Sequence, residues 1–196
     1  SLPNDITFTL RGSYITNNSD DGIQNDGCKK ILLIEDSLIE SKMTLSMRPG
    51  ADSAAARGSC GSYNVPIKNV LFNITCVADD RPDGSDIRNP QKAINNNCGP
   101  LRSASQVFKM GGASSNVGIA MSDSIIRFEA RSRNGWGSMF WPKGVYKNVV
   151  VVWDPVKKGM KYEGPALPAG VTLTTDTSIW TKAKNRWLEL HSEVAD

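Results

Sequence analysis

The stretch RNGWGSMFWPKGVYKNVVVVWDP, residues 133–155, decides the reading of the fold. It joins a turn dipeptide, Asn134-Gly135, to three tryptophans and a run of four valines. Asn and Gly both tolerate the left-handed backbone that a tight hairpin turn demands. The valines are β-branched and favour a pleated, packed surface. The segment therefore predicts a turn followed by a strong strand, YKNVVVVWD.

Similar runs recur along the chain. ITFTLRGSY alternates apolar and polar residues from Ile6, and NVLFNITCV places Val70, Phe72, Ile74 and Cys76 on one face. KKILLIED, SKMTLSM, SQVFKM, NVGIAM and SIIRFEAR supply further short apolar or alternating segments. Between them lie NNSDDGIQNDG, RPGADSAAARGSCG, DDRPDGSDIRNPQ, NNNCGP and MGGASSN, rich in the residues that make turns. Many short strands with turn signals between them point to an all-β sandwich. No internal repeat is apparent. The domain reading is a sandwich over residues 1–156, then a connector and helical segment over 157–196 packing on it. Within that segment Trp180, Ala183, Trp187, Leu190, His191 and Val194 recur at helical steps, with Asp176 or Thr177 placed to cap.

The chain has 196 residues, 22% charged, with a net charge of +3. That balance is too weakly basic to suggest a nucleic-acid partner. The longest apolar run, Val149–Trp153, is far shorter than a membrane span. The opening SLPNDITFTL reads as a mature terminus after cleavage. Cys28, Cys60, Cys76 and Cys98 contain no C-x-x-C, and His191 is the single histidine. This disfavours zinc and favours two disulfides in an oxidising compartment. The pairing Cys28–Cys60 and Cys76–Cys98 is preferred because it staples local loops; three pairings are open.

Catalytic patterns are sparse. There is no G-x-S-x-G and no Walker spacing. The oxygen-rich stretches starting at Asn17 and Asp79 both fail the calcium-loop pattern. Two N-x-[ST] sequons occur, and the one at Asn73 falls inside an expected strand. Neither a metal nor a cofactor is expected. The candidate ligand-binding set is Arg131, Arg133, Trp136, Trp141 and Lys143, with Phe140 among them. Aromatic faces stack on sugars, and arginine forks suit carboxylates.

PKGVYKNVVVVW resembles the strand near the end of pilus subunit and adhesin domains, matching at Pro142, Gly144 and Tyr146. With SIIRFEARSRNGW and NVLFNITC upstream, the chain looks like the receptor-binding domain of a chaperone–usher fimbrial tip adhesin. The resemblance implies an Ig-like or jelly-roll sandwich and passage through the periplasm to the cell surface. It further implies non-enzymatic recognition of a host glycan or surface receptor, with pilus subunits as further partners. The helical segment after Asp154, in place of a pilin domain, departs from that family. Two other functions compete: a secreted β-sandwich carbohydrate-active enzyme or toxin, and a structural subunit of a surface appendage or virion.

Overall fold

The computed structural model describes residues 7–25, 30–47, 63–75, 107–110, 117–129, 141–154, 161–162 and 164–194. They form ten strands: β1 Thr7–Arg11, β2 Tyr14–Gln24, β3 Lys30–Glu35, β4 Leu38–Met47, β5 Asn64–Lys68, β6 Leu71–Ile74, β7 Phe108–Met110, β8 Gly118–Phe128, β9 Gly144–Trp153 and β10 Val171–Thr174. One helix, α1, spans Thr177–Leu190, and a 3-10 turn follows at Ser192–Val194.

The expected Ig-like or jelly-roll sandwich is not the fold. Every strand pair among the described residues is parallel, and the strands make one curled, half-barrel sheet. The chain stacks coil on coil in sequence order, in the manner of a β-solenoid. Coil one is β1 and β2, coil two β3 and β4, and coil three β5 and β6 with β7. Coils four, five and six are β8, β9 and β10. One arm of the sheet stacks β1, β3, β5 and the first halves of β8 and β9. The other stacks the starts of β2 and β4, then β6, the second halves of β8 and β9, and β10. No disulfide is seen among the described residues, and Cys28, Cys60, Cys76 and Cys98 all lie outside them.

The fold also reveals a repeat. LRGSYIT (10–16), IEDSLIE (34–40), IKNVLFN (67–73), MSDSIIR (121–127), YKNVVVV (146–152) and PAGVTLT (168–174) turn the same corner in six coils. The third residue of each copy has positive φ: Gly12, Asp36, Asn69, Asp123, Asn148 and Gly170. Only Gly, Asn and Asp enter that region at modest cost. Asn69 Nδ2 donates to Asp36 Oδ1 at 3.2 Å, and Asn148 Nδ2 to Asp123 Oδ1 at 2.9 Å. The fourth residue points inward. Ser124 Oγ accepts from Val70 N at 3.0 Å and donates to Ser122 O at 2.7 Å. Ser37 Oγ donates to Glu35 O at 2.8 Å and accepts from Ser13 N at 3.3 Å. Each serine thus satisfies a corner amide that would otherwise be buried unpaired.

The sixth residues fill the interior. Ile39, Phe72, Ile126 and Val151 lie in register and are fully buried. The fifth residues point out, and on the second arm Leu38, Leu71, Ile125 and Val150 make an apolar stripe that α1 covers with Trp180 and Trp187. Fourteen helical residues run about 21 Å, which matches four coil spacings, about 19 Å. The helix therefore starts beside Val152 in coil five and ends beside Gly12 in coil one. Asp176 caps it by accepting from Ser178 N at 2.9 Å, and this bond lowers the pKa of that exposed carboxyl.

NNSDDG, read as a turn, lies within β2, and Asp21 is buried there. NVGIAM and SIIRFEAR, read as two runs, supply one strand, β8, bent at Asp123.

Candidate functional site

Two surfaces of the stack carry polar chemistry. The first lies at the seam beside α1, where the seventh residue of the repeat is Glu40, Asn73 and Arg127 in consecutive coils. Asn73 is 2% exposed. Its Nδ2 donates to Glu40 Oε1 at 3.0 Å and to Glu129 Oε1 at 2.9 Å. Tyr14 donates its hydroxyl to Glu40 Oε2 at 2.8 Å. Lys184, on the helix, donates to both Glu40 oxygens at 2.8 and 3.0 Å. Arg127 closes the other end, bonding Glu129 at 2.8 Å and Asp154 at 2.6 Å.

Burial pushes the Glu40 pKa up, but the hydrogen bonds from Lys184, Asn73 and Tyr14 outweigh it and hold the carboxyl below its ordinary range. Burial raises the Tyr14 pKa, and the bond to Glu40 adds to the rise. The Glu40 and Glu129 carboxylates share one amide donor. Two such carboxylates suggest glycoside hydrolysis, which needs one of them protonated as the acid. Here Lys184 helps hold Glu40 in its charged form, Arg127 pairs with Glu129, and the helix covers Glu40. The arrangement suits a structural joint. Asn73 is also buried on both of its carboxylate contacts, so its sequon is closed to a glycan.

The second surface is the outer side of the first arm. Thr9 stands in register with Leu33, and Pro66 with Ala120 and Val145; one full row runs through Arg11, Glu35, Lys68, Ser122 and Lys147. Val145 is 66% exposed. Arg11 pairs with Glu35. Lys68 and Lys147 both lower the pKa of the exposed Asp123, after the larger effect of the Asn148 hydrogen bond. Gly118 lets the Asn64 side chain lie over the strand; a Cβ there would meet Asn64 Oδ1 at 2.3 Å.

Of the expected ligand-binding residues, Arg131, Arg133 and Trp136 lie outside the described residues, as does Phe140. Trp141 is half-buried and packs edge-on against Tyr146, ring centres 5.4 Å apart. Tyr146 in turn donates to Pro142 O at 2.7 Å, and burial pushes its pKa up. Lys143 is exposed at the edge of the first arm, next to Gly144. The structure thus brings Lys143, but not the Trp141 ring, to the open face. His191 is a helix-end contact: it stacks on Trp187 at 4.2 Å and lies 3.1 Å from Asp36 Oδ2.

Of the seam residues, the sequence singled out Asn73 alone, and as a sequon rather than for these contacts. Their one signal is the polar residue at the end of IEDSLIE, IKNVLFN and MSDSIIR. Among the described residues, no three His, Cys, Asp or Glu side chains are grouped to hold a metal. No described helix is long and apolar enough to cross a membrane.

Comparison with known proteins finds no matching family model, no matching curated protein and no matching solved structure.

Proposed function

We propose that the chain is an exported, non-enzymatic recognition module acting in adhesion, with a host glycan or surface receptor as ligand. The observation that carries this reading is the open outer face of the first arm. One lateral face of the stack is sealed by α1, whereas this one leaves Asn64, Lys68, Lys143, Val145 and Lys147 exposed. A sheet face with small residues at Ala120 and Ser122 beside exposed lysines lets an extended ligand approach the backbone closely. Arg131, Arg133 and Trp136 precede Trp141 in sequence, and β9 begins on this face at Gly144.

A glycan array with the whole chain tests the reading. Wild type should bind a defined glycan class. Lys143→Glu and Lys147→Glu should weaken it about tenfold or more while the melting temperature holds, because both side chains are exposed. Absence of any glycan or cell-surface binding refutes the function. Binding that ignores both variants moves the ligand off this face.

A further inference from the structure

The sixth coil ends the stack with an unfinished core. Among the described residues its strand β10 pairs only with β9. Leu173 stands in register with Val151, Ile126, Phe72 and Ile39. Those four are 0% exposed, whereas Leu173 is 40% exposed. The chain does not continue the stack here. After Thr174 it enters the cap at Asp176, and α1 runs back toward coil one.

The backbone at this edge is equally unfinished. Val149 N donates to Gly170 O, so in the parallel pattern the amides of Thr172 and Thr174 turn toward β9. The N–H and C=O of Leu173 then face the open edge. At the opposite end, β1 and β2 pair only with coil two among the described residues. The inner row ends there at Ile15, which is partly buried.

We propose that coil six is an assembly edge, and that its partner is coil one of a second copy stacked head to tail. Both ends are copies of the same repeat, PAGVTLT and LRGSYIT, with a positive-φ glycine at each corner. Their strands run in the same direction, and stacking sets Leu173 over Ile15 as every interior coil sets its sixth residue over the next. The helix fits the same translation. Its C-terminal end, with Leu190 and Val194 exposed at 67% and 39%, meets the N-terminal end of the next helix. That junction places opposite ends of two helix dipoles together. On the first arm, Pro165 and Pro168 precede β10 in place of a strand, so the pairing is confined to the second arm. A head-to-tail contact of this kind does not close and builds a rod.

Sedimentation velocity and light scattering across a concentration series test this with the whole chain. Wild type should rise from 21.3 kDa through successive multiples. Electron microscopy of the concentrated sample should show rods with an axial repeat of about 29 Å, six coil spacings. Leu173→Glu places a charge on the inner row, and Leu173→Pro removes the outward amide while leaving the β9 bonds. Both should remain at monomer mass with an unchanged circular dichroism spectrum. A wild type that stays monomeric throughout, a closed dimer that never extends, or assembly indifferent to both variants overturns the proposal. None of these outcomes bears on glycan binding by the lateral face.

Discussion

Lys184 reaches across 144 residues of sequence to place its ammonium within 3.0 Å of both oxygens of Glu40. This pair joins the terminal helix to coil two at a position where the carboxylate is largely shielded from water. Removing the cation leaves a shielded charge held only by Asn73 and Tyr14. Exposed pairs contribute about 0–1 kcal/mol, and breaking a buried one costs about 3–5 kcal/mol. For this half-shielded pair, Lys184→Ala should cost about 2 kcal/mol in urea unfolding. Glu40→Gln with Lys184→Met should cost less than the two single changes added together. Additive costs in that cycle would show the contact to be energetically idle.

Glu40 also sets an acid limit. Its folded-state pKa lies below the ordinary value, and an unfolded glutamate titrates near ~4.3. Above that value both states are ionised and the stabilisation is fully present. As pH falls through it, the unfolded state takes up the proton first. The stabilisation fades, and it is gone below the folded pKa. The stability of wild type should therefore fall more steeply below pH ~4.3 than that of Glu40→Gln, measured by urea midpoints at several pH values. Parallel curves would exclude Glu40 as a contributor.

The corner row predicts an unusual order of substitutions. Asn69 has φ of 53° and Asn148 φ of 52°. Alanine in that region costs about 1–2 kcal/mol, whereas glycine enters freely. Asn69→Gly and Asn148→Gly should melt above the corresponding alanine variants, although glycine ordinarily destabilises strands. The reverse order would mean that the side-chain bonds to Asp36 and Asp123 dominate the corner.

Thr75 follows β6, and its Oγ1 is buried with no hydrogen-bond partner among the described residues. A buried hydroxyl left unpaired costs about 1–3 kcal/mol. Thr75→Val keeps the shape and removes the polar atom, so it should raise stability by about 1 kcal/mol, within that range. Chemical denaturation reads this directly, and a loss of stability would refute the assignment.

The strands were legible in the sequence because period two survives in both parallel and antiparallel sheets. Their pairing was not legible, for the same reason. The best clue was the run Val149–Trp153, in which Val149, Val151, Val152 and Trp153 are all buried. A strand covered on both faces reads as continuously apolar, which is the habit of parallel sheets under a helix. The repeat was masked by its spacing. Copies start at 10, 34, 67, 121, 146 and 168, so the steps are 24, 33, 54, 25 and 22 residues. It was masked further by the swap of Asp-Ser for Asn-Val at the corner, two chemically different solutions to one backbone shape. The helix was readable because Trp180, Ala183 and Trp187 follow its period. The polar seam was hidden because Glu40, Asn73 and Lys184 become neighbours only through stacking.

A stack of coils, each touching only its neighbours, tends to fray from its ends one layer at a time. The helix that runs from coil five back to coil one changes that behaviour. Because its two tryptophans and Lys184 contact several layers at once, loosening either terminal layer must also pull on the others. The molecule should consequently melt in a single sharp transition, and cutting that tie should convert it into a gradual unravelling.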